Sequence, residues 1–357
     1  MKRCNSVVGL LVMFLFVLSC SRSTTAPDET VMPWSKSTPE KQGFNKSITD
    51  SLDTELEKHT FIDGYLIVRH GKIVYERYYN TYNAETGHVL ISVTKSVLST
   101  LVGIAIEQGH IDSLDQKMMD LLPEYRQLLG VDQRINEITI RHLLNMTTGF
   151  MAPDVMDIVP GHDLVEQLLR LSFRAAPGTQ FQYSDFTPHF LSKIISRNTG
   201  QSAFEYADDN LKEAAGIVIT DWTTDAQGIN AGGSGCSMTP RSMARLGWLY
   251  LNRGQLNGES VLPEAWAGTL IEAALSRSQF WQWEGYGYLN LWWLHSINEY
   301  AVVSAMGRGG QLIHVFPELD MVVVATAAYH KDDRVTTKQS QILRNTISRI
   351  VLQAVTH

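Results

Sequence analysis

Ser92-Val93-Thr94-Lys95-Ser96-Val97-Leu98-Ser99-Thr100-Leu101-Val102-Gly103-Ile104-Ala105 decides how this chain is read. Its apolar positions, Val97, Leu98, Leu101, Val102, Ile104 and Ala105, recur at helical spacing and predict a mostly buried helix over Ser92 to Gln108. A hydroxyl and an amine placed as Ser92 and Lys95 are share one face of such a helix. An unassisted serine hydroxyl is a poor nucleophile and needs a neighbouring base. A lysine amine accepts a proton only when uncharged, a state that burial and nearby positive potential favour. The start of a helix supplies that potential, and the apolar run supplies the burial. S-x-x-K by itself occurs often by chance, and a plain helix would leave its lysine in solvent. Position at the mouth of a buried helix is what makes Ser92 a candidate nucleophile and Lys95 its activating base.

Before this stretch, Tyr65 to His70 and Ile73 to Tyr79 are β-prone runs joined at Gly71-Lys72, a predicted hairpin. After it, helical patterns dominate from Ile111 to about Gly254, broken by Pro123, Pro160 and Pro177-Gly178. Leu312 to Phe316 and Met321 to Ala327 are two more β-runs, with Pro317-Glu318-Leu319-Asp320 turning between them. Thr337 to Val355 reads as a closing helix that buries Ile342, Leu343, Ile347, Ile350 and Val351. Terminal strands around a helical middle predict an α+β fold: an α/β sandwich with a mixed, mainly antiparallel sheet flanked by helices, plus a helical subdomain. A cleft between the two lobes is the natural place for a substrate.

Two further stretches carry chemistry. Tyr183-Ser184-Asp185 follows Pro177-Gly178-Thr179, and a tyrosine beside a nucleophile can relay protons. An isolated tyrosine in a turn is more often core. Gly307-Arg308-Gly309-Gly310-Gln311 leads into the β-run at Leu312, where small residues allow close approach to a strand edge. A backbone N–H there, with that of Ser92, would form an oxyanion hole. Arg308 could hold a carboxylate or polarise the tyrosine; the bland alternative is a glycine turn with a solvated arginine. Gly232-Gly233-Ser234-Gly235-Cys236 approximates G-x-S-x-G but lacks the final glycine and the apolar strand before it, so it is set aside as a nucleophile. Cys236 is expected to pack as a small apolar residue. Trp281, Trp283, Trp292 and Trp293 are read mainly as core, with one or two free to line an acyl pocket.

Taken in order, Ser92-Val93-Thr94-Lys95, Tyr183-Ser184-Asp185 and Arg308-Gly309-Gly310 resemble the S-x-x-K, Y-x-N and K-T-G (or H-x-G) set of the class C β-lactamase and penicillin-binding-protein-like superfamily. That superfamily includes family VIII esterases and 6-aminohexanoate-dimer-hydrolase-like enzymes. His70-Gly71-Lys72, Ile138 to Leu144, Thr148-Gly149, Pro177-Gly178-Thr179, Gly232-Gly233 and Tyr286-Gly287-Tyr288 extend the likeness over residues 35 to 355. The ordered set is strong although no single motif is specific. The resemblance implies an acylated Ser92, proton transfer shared by Lys95 and Tyr183, and oxyanion N–H groups from Ser92 and Gln311. It also implies that Arg308 stands where the family has lysine or histidine, with Gly309 and Gly310 beside the substrate. Asp185 departs from the family asparagine; an ionised carboxylate only accepts hydrogen bonds, so it loses the amide donor and is free to pair with Lys95. A second register, with Ser184-Asp185-Phe186 as S-D-N, fails at Phe186. The implied activity is acyl-enzyme hydrolysis of a small ester or amide. A true β-lactamase or D-alanyl peptidase, and a non-catalytic penicillin-binding sensor of the envelope, stay open as alternatives.

The rest of the chain limits the setting. It has 357 residues, is 44% hydrophobic and 19% charged, and carries a formal net charge of -7. Without a basic stripe, nucleic acid is excluded as an expected partner. Residues 1–19 read as an export signal, with Lys2 and Arg3 ahead of an apolar run from Val7 to Leu18. Val17-Leu18-Ser19-Cys20 resembles a bacterial lipobox, so Cys20 is expected to carry lipid, residues 20–34 to form a tether and residues 35–357 the hydrolase domain. The expected location is the periplasm or cell envelope, with membrane attachment only through the lipid. Of the three cysteines, only Cys236 lies in the body. Neither disulfide nor structural zinc is asked for, and no cofactor or metal is expected. Oligomeric state is not legible.

Overall fold

The computed structural model describes residues 34–356, except 129, 152, 154–157, 257 and 278–284. The leader, Cys20, the tether up to residue 33, Trp281 and Trp283 lie outside the described residues. In chain order, helix α1 (Ile48–Leu56) precedes strands β1 (Ile62–Arg69), β2 (Lys72–Tyr78) and β3 (His88–Val89), then helix α2 (Val93–Glu107). The middle holds α3 (Met118–Leu121), α4 (Ile140–Leu144), α5 (Leu164–Leu169), α6 (Pro188–Thr199), α7 (Ala203–Ala207) and α8 (Glu213–Ala215). Then come β4 (Ile219–Trp222), β5 (Cys236–Met238), α9 (Pro240–Leu251), β6 (Gln255–Leu256), β7 (Glu259–Ser260) and α10 (Glu264–Ser276). The chain closes with β8 (Gly287–Leu289), β9 (Trp292–Ile297), β10 (Tyr300–Gly307), β11 (Gln311–Phe316), β12 (Met321–Ala327) and α11 (Asp333–Thr346).

The main sheet has seven strands in the order β2-β1-β12-β11-β10-β9-β8, and every pairing in it is antiparallel. Side chains alternate across a strand, and here both faces are covered. Leu66 and Val68 of β1 enter one core with α2 and α9, while Ile62 and Ile67 enter a second core with α1 and α11. Gly247 lets α9 lie close on the sheet, because a Cβ there would meet Ile313 and Val322 at 2.7 Å.

The hairpin, the buried helix and the last two strands fall where the sequence predicts them. Three elements differ. The aromatic stretch packs as core, as expected, but does so from strands the sequence reading did not place: Trp292 and Trp293 are buried on β9, and Asn298, at φ 52, turns β9 into β10. The helical middle also supplies two strands, β4 and β5, which join β3 in a small sheet in the order β3-β5-β4. The closing helix starts four residues early, because the Asp332 side chain accepts the N–H of Arg334 as an N-cap.

A polar ladder crosses three strands inside the main sheet. Ser304 Oγ lies 2.8 Å from His295 Nε2 and 2.7 Å from His314 Nδ1, and all three residues are buried. Burial, with the Arg344 charge adding to it, lowers His295 to about 3. Burial, His295 and Arg344 push His314 well below the ordinary histidine range. Such a histidine stays unprotonated when folded but takes a proton once unfolded, so stability is lost as pH falls below the unfolded value. Carboxylates titrate lower, which leaves the interval from about pH 6.5 to 5 to histidine. Urea melts are expected to show about 2 kcal/mol lost through His295 over that interval. Level stability from pH 7 to 5 would contradict a neutral ladder.

Candidate active site

Ser92 sits where β3 gives way to α2. Ile91, just before it, has φ 49, a backbone conformation that a β-branched residue rarely adopts. The strained turn is held from both sides. Leu90 N–H donates to the Cys236 carbonyl (2.8 Å), and Cys236 N–H donates to Thr94 Oγ1 (3.2 Å). A serine before a helix usually spends its hydroxyl capping the helix. Ser92 makes no such bond, and its N–H has no partner among the described residues. Neither group is therefore taken up by the helix start.

Lys95 is 1% exposed, and its Nζ has three acceptors: Ser92 Oγ at 2.9 Å, Asp185 Oδ1 at 2.7 Å and the Gly233 carbonyl at 2.8 Å. Three acceptors match the three donors of an ammonium group. The Asp185 side chain is 68% exposed, so the carboxylate keeps most of its water while it pairs with a buried amine. Here the aspartate that replaces the family's asparagine is the lysine's partner.

Local turns place these groups. Ser184 Oγ accepts the N–H groups of Phe186 and Thr187, both at 3.1 Å, and Pro188 then opens α6. That use of Ser184 is structural and leaves the S-D-N register without its serine. Gln182 N–H donates to the Met146 carbonyl (2.8 Å), and Gly178 N–H to that of Thr147 (2.7 Å), which fix the approach to Tyr183. The Gly232-Gly233 pair lies directly against this loop: a Cβ on Gly233 would stand 1.8 Å from the Asp185 carbonyl oxygen. Gly233 is the member of this cluster that sequence reasoning missed. Its signal was a glycine pair with no turn to make.

Tyr183 stacks on Trp293 (5.5 Å between centroids, 23° between planes), and its ring lies 4.9 Å from Lys95 Nζ. It makes no hydrogen bond to Lys95. Tyr288 meets Trp293 edge-on at 4.7 Å and completes an aromatic wall. Trp292 is buried against Tyr250 (4.6 Å), and Trp293, also buried, packs behind the ring of Tyr183.

The glycine-rich turn behaves differently from the sequence expectation. Gly307 is the residue that reaches the nucleophile's strand, since a Cβ on it would lie 2.4 Å from the Leu90 carbonyl oxygen. Cβ atoms on Gly309 and Gly310 would instead meet Tyr329 and Leu343, at 3.4 and 2.5 Å. The buried Gln311 side chain brackets Ala327 of β12, donating to its carbonyl and accepting its N–H. Arg308 pairs with Asp333, donates to the Lys331 carbonyl (3.0 Å) and lies over Tyr329. None of these partners belongs to the Ser92–Lys95–Asp185 cluster. The reason is register: Gly307 pairs with Gln311, so the intervening residues form the hairpin tip and turn toward α11. Strand β10 also outruns β9, whose pairing stops at Ser304, so Ala305, Met306 and Gly307 have no strand neighbour on that side among the described residues.

Comparisons with known proteins agree with this architecture. The Beta-lactamase family model matches residues 55–344. The 6-aminohexanoate-dimer hydrolase of Paenarthrobacter ureafaciens is 27% identical over 308 residues, covering 79% of this chain and 76% of the relative. A penicillin-binding protein homologue from Caulobacter crescentus superposes with TM-score 0.66 at 13% identity, covering 88% of this chain and 99% of that one. EstCE1, described as a hydrolase with promiscuous acyltransferase activity, gives TM-score 0.63 at 17% identity, covering 85% and 97%. The chain belongs to the Beta-lactamase family and is a serine hydrolase.

Proposed function

We propose that Ser92 attacks the carbonyl of a small amide or ester, forms an acyl-enzyme and is released by water. The observation that carries this reading is the 2.9 Å contact between Ser92 Oγ and a buried lysine amine. Lys95 and Asp185 act as one base: as Ser92 Oγ bonds to the substrate carbon, its proton moves to Nζ and Nζ passes one of its own to Asp185. The carbonyl oxygen, now negative, is met by the Ser92 N–H and by backbone N–H at the end of β10, where Gly307 borders Leu90. The Tyr183 hydroxyl protonates the departing nitrogen or oxygen. The proton held by the Lys95–Asp185 pair then returns through solvent to the Tyr183 oxygen, which resets both; water attacks the acyl carbon, gives its proton to the same pair, and the pair returns a proton to Ser92 Oγ as the acid departs.

The free edge at Ala305–Gly307 suits an extended acyl chain, and the wall of Tyr183, Tyr288 and Trp293 suits its apolar part. An amide substrate is favoured by the relative named a 6-aminohexanoate-dimer hydrolase, since two amino acids join through an amide bond. The same reading keeps the enzyme at the cell envelope, tethered through Cys20, on the strength of the leader sequence alone. Intact-mass measurement after exposure to a serine-directed phosphonate tests the chemistry. One adduct is expected on the wild-type chain and none on Ser92→Ala. Equal labelling of both would remove Ser92 from the mechanism.

A further inference from the structure

A cavity of about 210 Å³ lies between β10, β11 and α11, and apart from Met306 and Gly307 its lining takes no part in the mechanism above. Tyr286, Met306, Gly307, Leu312, His314 and Arg344 are among its lining residues. It exceeds the roughly 150 Å³ of a protein cavity known to take up benzene.

The polar ladder ends in this cavity, and its direction can be worked out from one end. A backbone carbonyl only accepts, so Ser296 C=O, 3.3 Å away, requires the proton of neutral His295 on Nδ1. His295 Nε2 is then an acceptor and takes the Ser304 hydroxyl proton. Ser304 Oγ in turn accepts from His314 Nδ1–H. That leaves His314 Nε2 with a lone pair and no partner among the described residues, on a side chain that lines the cavity and is 4% exposed. We propose that this cavity binds a small, mostly apolar molecule carrying a neutral hydrogen-bond donor, a hydroxyl or an amide N–H, delivered to Nε2 of His314.

The neighbouring charge selects against other classes. Arg344 lines the same cavity and is held by the Tyr286 hydroxyl (2.6 Å) and the Ser296 carbonyl (3.0 Å), so it opposes a cationic amine. An anion would meet the Nε2 lone pair. Burial and Arg344 together keep His314 unprotonated, which preserves the acceptor. Gly307 is shared with the wall beside Ser92, so the two sites meet across one residue.

Histidine-ring ¹⁵N spectra of the full chain test the proposal without requiring turnover. The probes are 1-hexanol and dipropyl ether, of similar bulk, only the first being a donor; the His314 resonance is identified by its absence from His314→Phe. In the wild type, Nε2 of His314 should be unprotonated, and hexanol should shift it with an affinity about five- to tenfold above the ether, as one neutral hydrogen bond supplies. In Ser304→Ala the ring of His314 loses its hydroxyl acceptor and keeps only the Ile313 backbone, so the proton position is less firmly dictated and the preference for hexanol should fall. A protonated Nε2 in the free protein, equal affinity for the two probes, or an undiminished preference in Ser304→Ala would each overturn the assignment.

Discussion

Lys95→Met is expected to lower kcat/KM by about 10⁴-fold, the upper range for loss of a general base. Methionine keeps most of the volume and fills the buried channel without a charge. Three acceptors lose their donor: Ser92 Oγ, Asp185 Oδ1 and the Gly233 carbonyl. Asp185 is 68% exposed and rehydrates, so it adds little penalty. The Gly233 carbonyl is left with less compensation, and a buried acceptor without a donor costs about 1–3 kcal/mol. The variant should therefore fold, with a modestly lower Tm, and bind phosphonate far more slowly. Activity within tenfold of wild type, measured on a p-nitrophenyl ester with folding checked by circular dichroism, would show that Lys95 is only a structural ion-pair partner.

Gly233→Ala is expected to lower activity by about 10²-fold without touching any side chain of the site. The added methyl would stand 1.8 Å from the Asp185 carbonyl oxygen, far inside contact distance, and both atoms belong to backbone or Cβ. One segment must retreat by an ångström or more. If the loop from Tyr183 to Thr187 moves, Asp185 and Tyr183 leave Lys95; if the strand entrance at Gly233 moves, its carbonyl does. A misplacement of this size costs about 10²-fold in rate. Overpacking of this kind also lowers stability by about 1–3 kcal/mol. The informative pair of measurements is kcat and Tm. A fall in Tm with unchanged kcat would mean that the loop relaxes without disturbing the cluster, and that Gly233 matters to folding alone.

The serine–lysine pair was readable because its geometry is local. Helical spacing places the third residue after Ser92 on the same face, and the apolar run that follows requires burial. The structure adds only the 2.9 Å contact that such a helix allows. Tyr183 and Asp185 were readable by resemblance, and their packing around Lys95 came with the tertiary structure. The β10–β11 turn shows the opposite case. Its glycines invite a reading in which Gly309, Gly310 and Gln311 border the substrate. The pairing of Gly307 with Gln311 instead turns the tip toward α11 and leaves Gly307 beside the nucleophile. One residue of strand register moves every side chain to the other face, and register is set by partners that the local sequence does not contain.

By itself the sequence determined the α+β order, the first hairpin, the buried helix that begins after Ser92, and the serine–lysine pair within it. Each of these rests on periodicities of two or 3.6 residues or on a turn between them, which neighbouring residues impose directly. The third acceptor of Lys95, the glycine that meets Leu90 and the partners of Arg308 were decided only by tertiary structure. Lys95 reaches Asp185 and Gly233 across 90 and 138 residues of chain. Contacts over such separations depend on how two packed cores set the loops against one another, and no local periodicity encodes that distance.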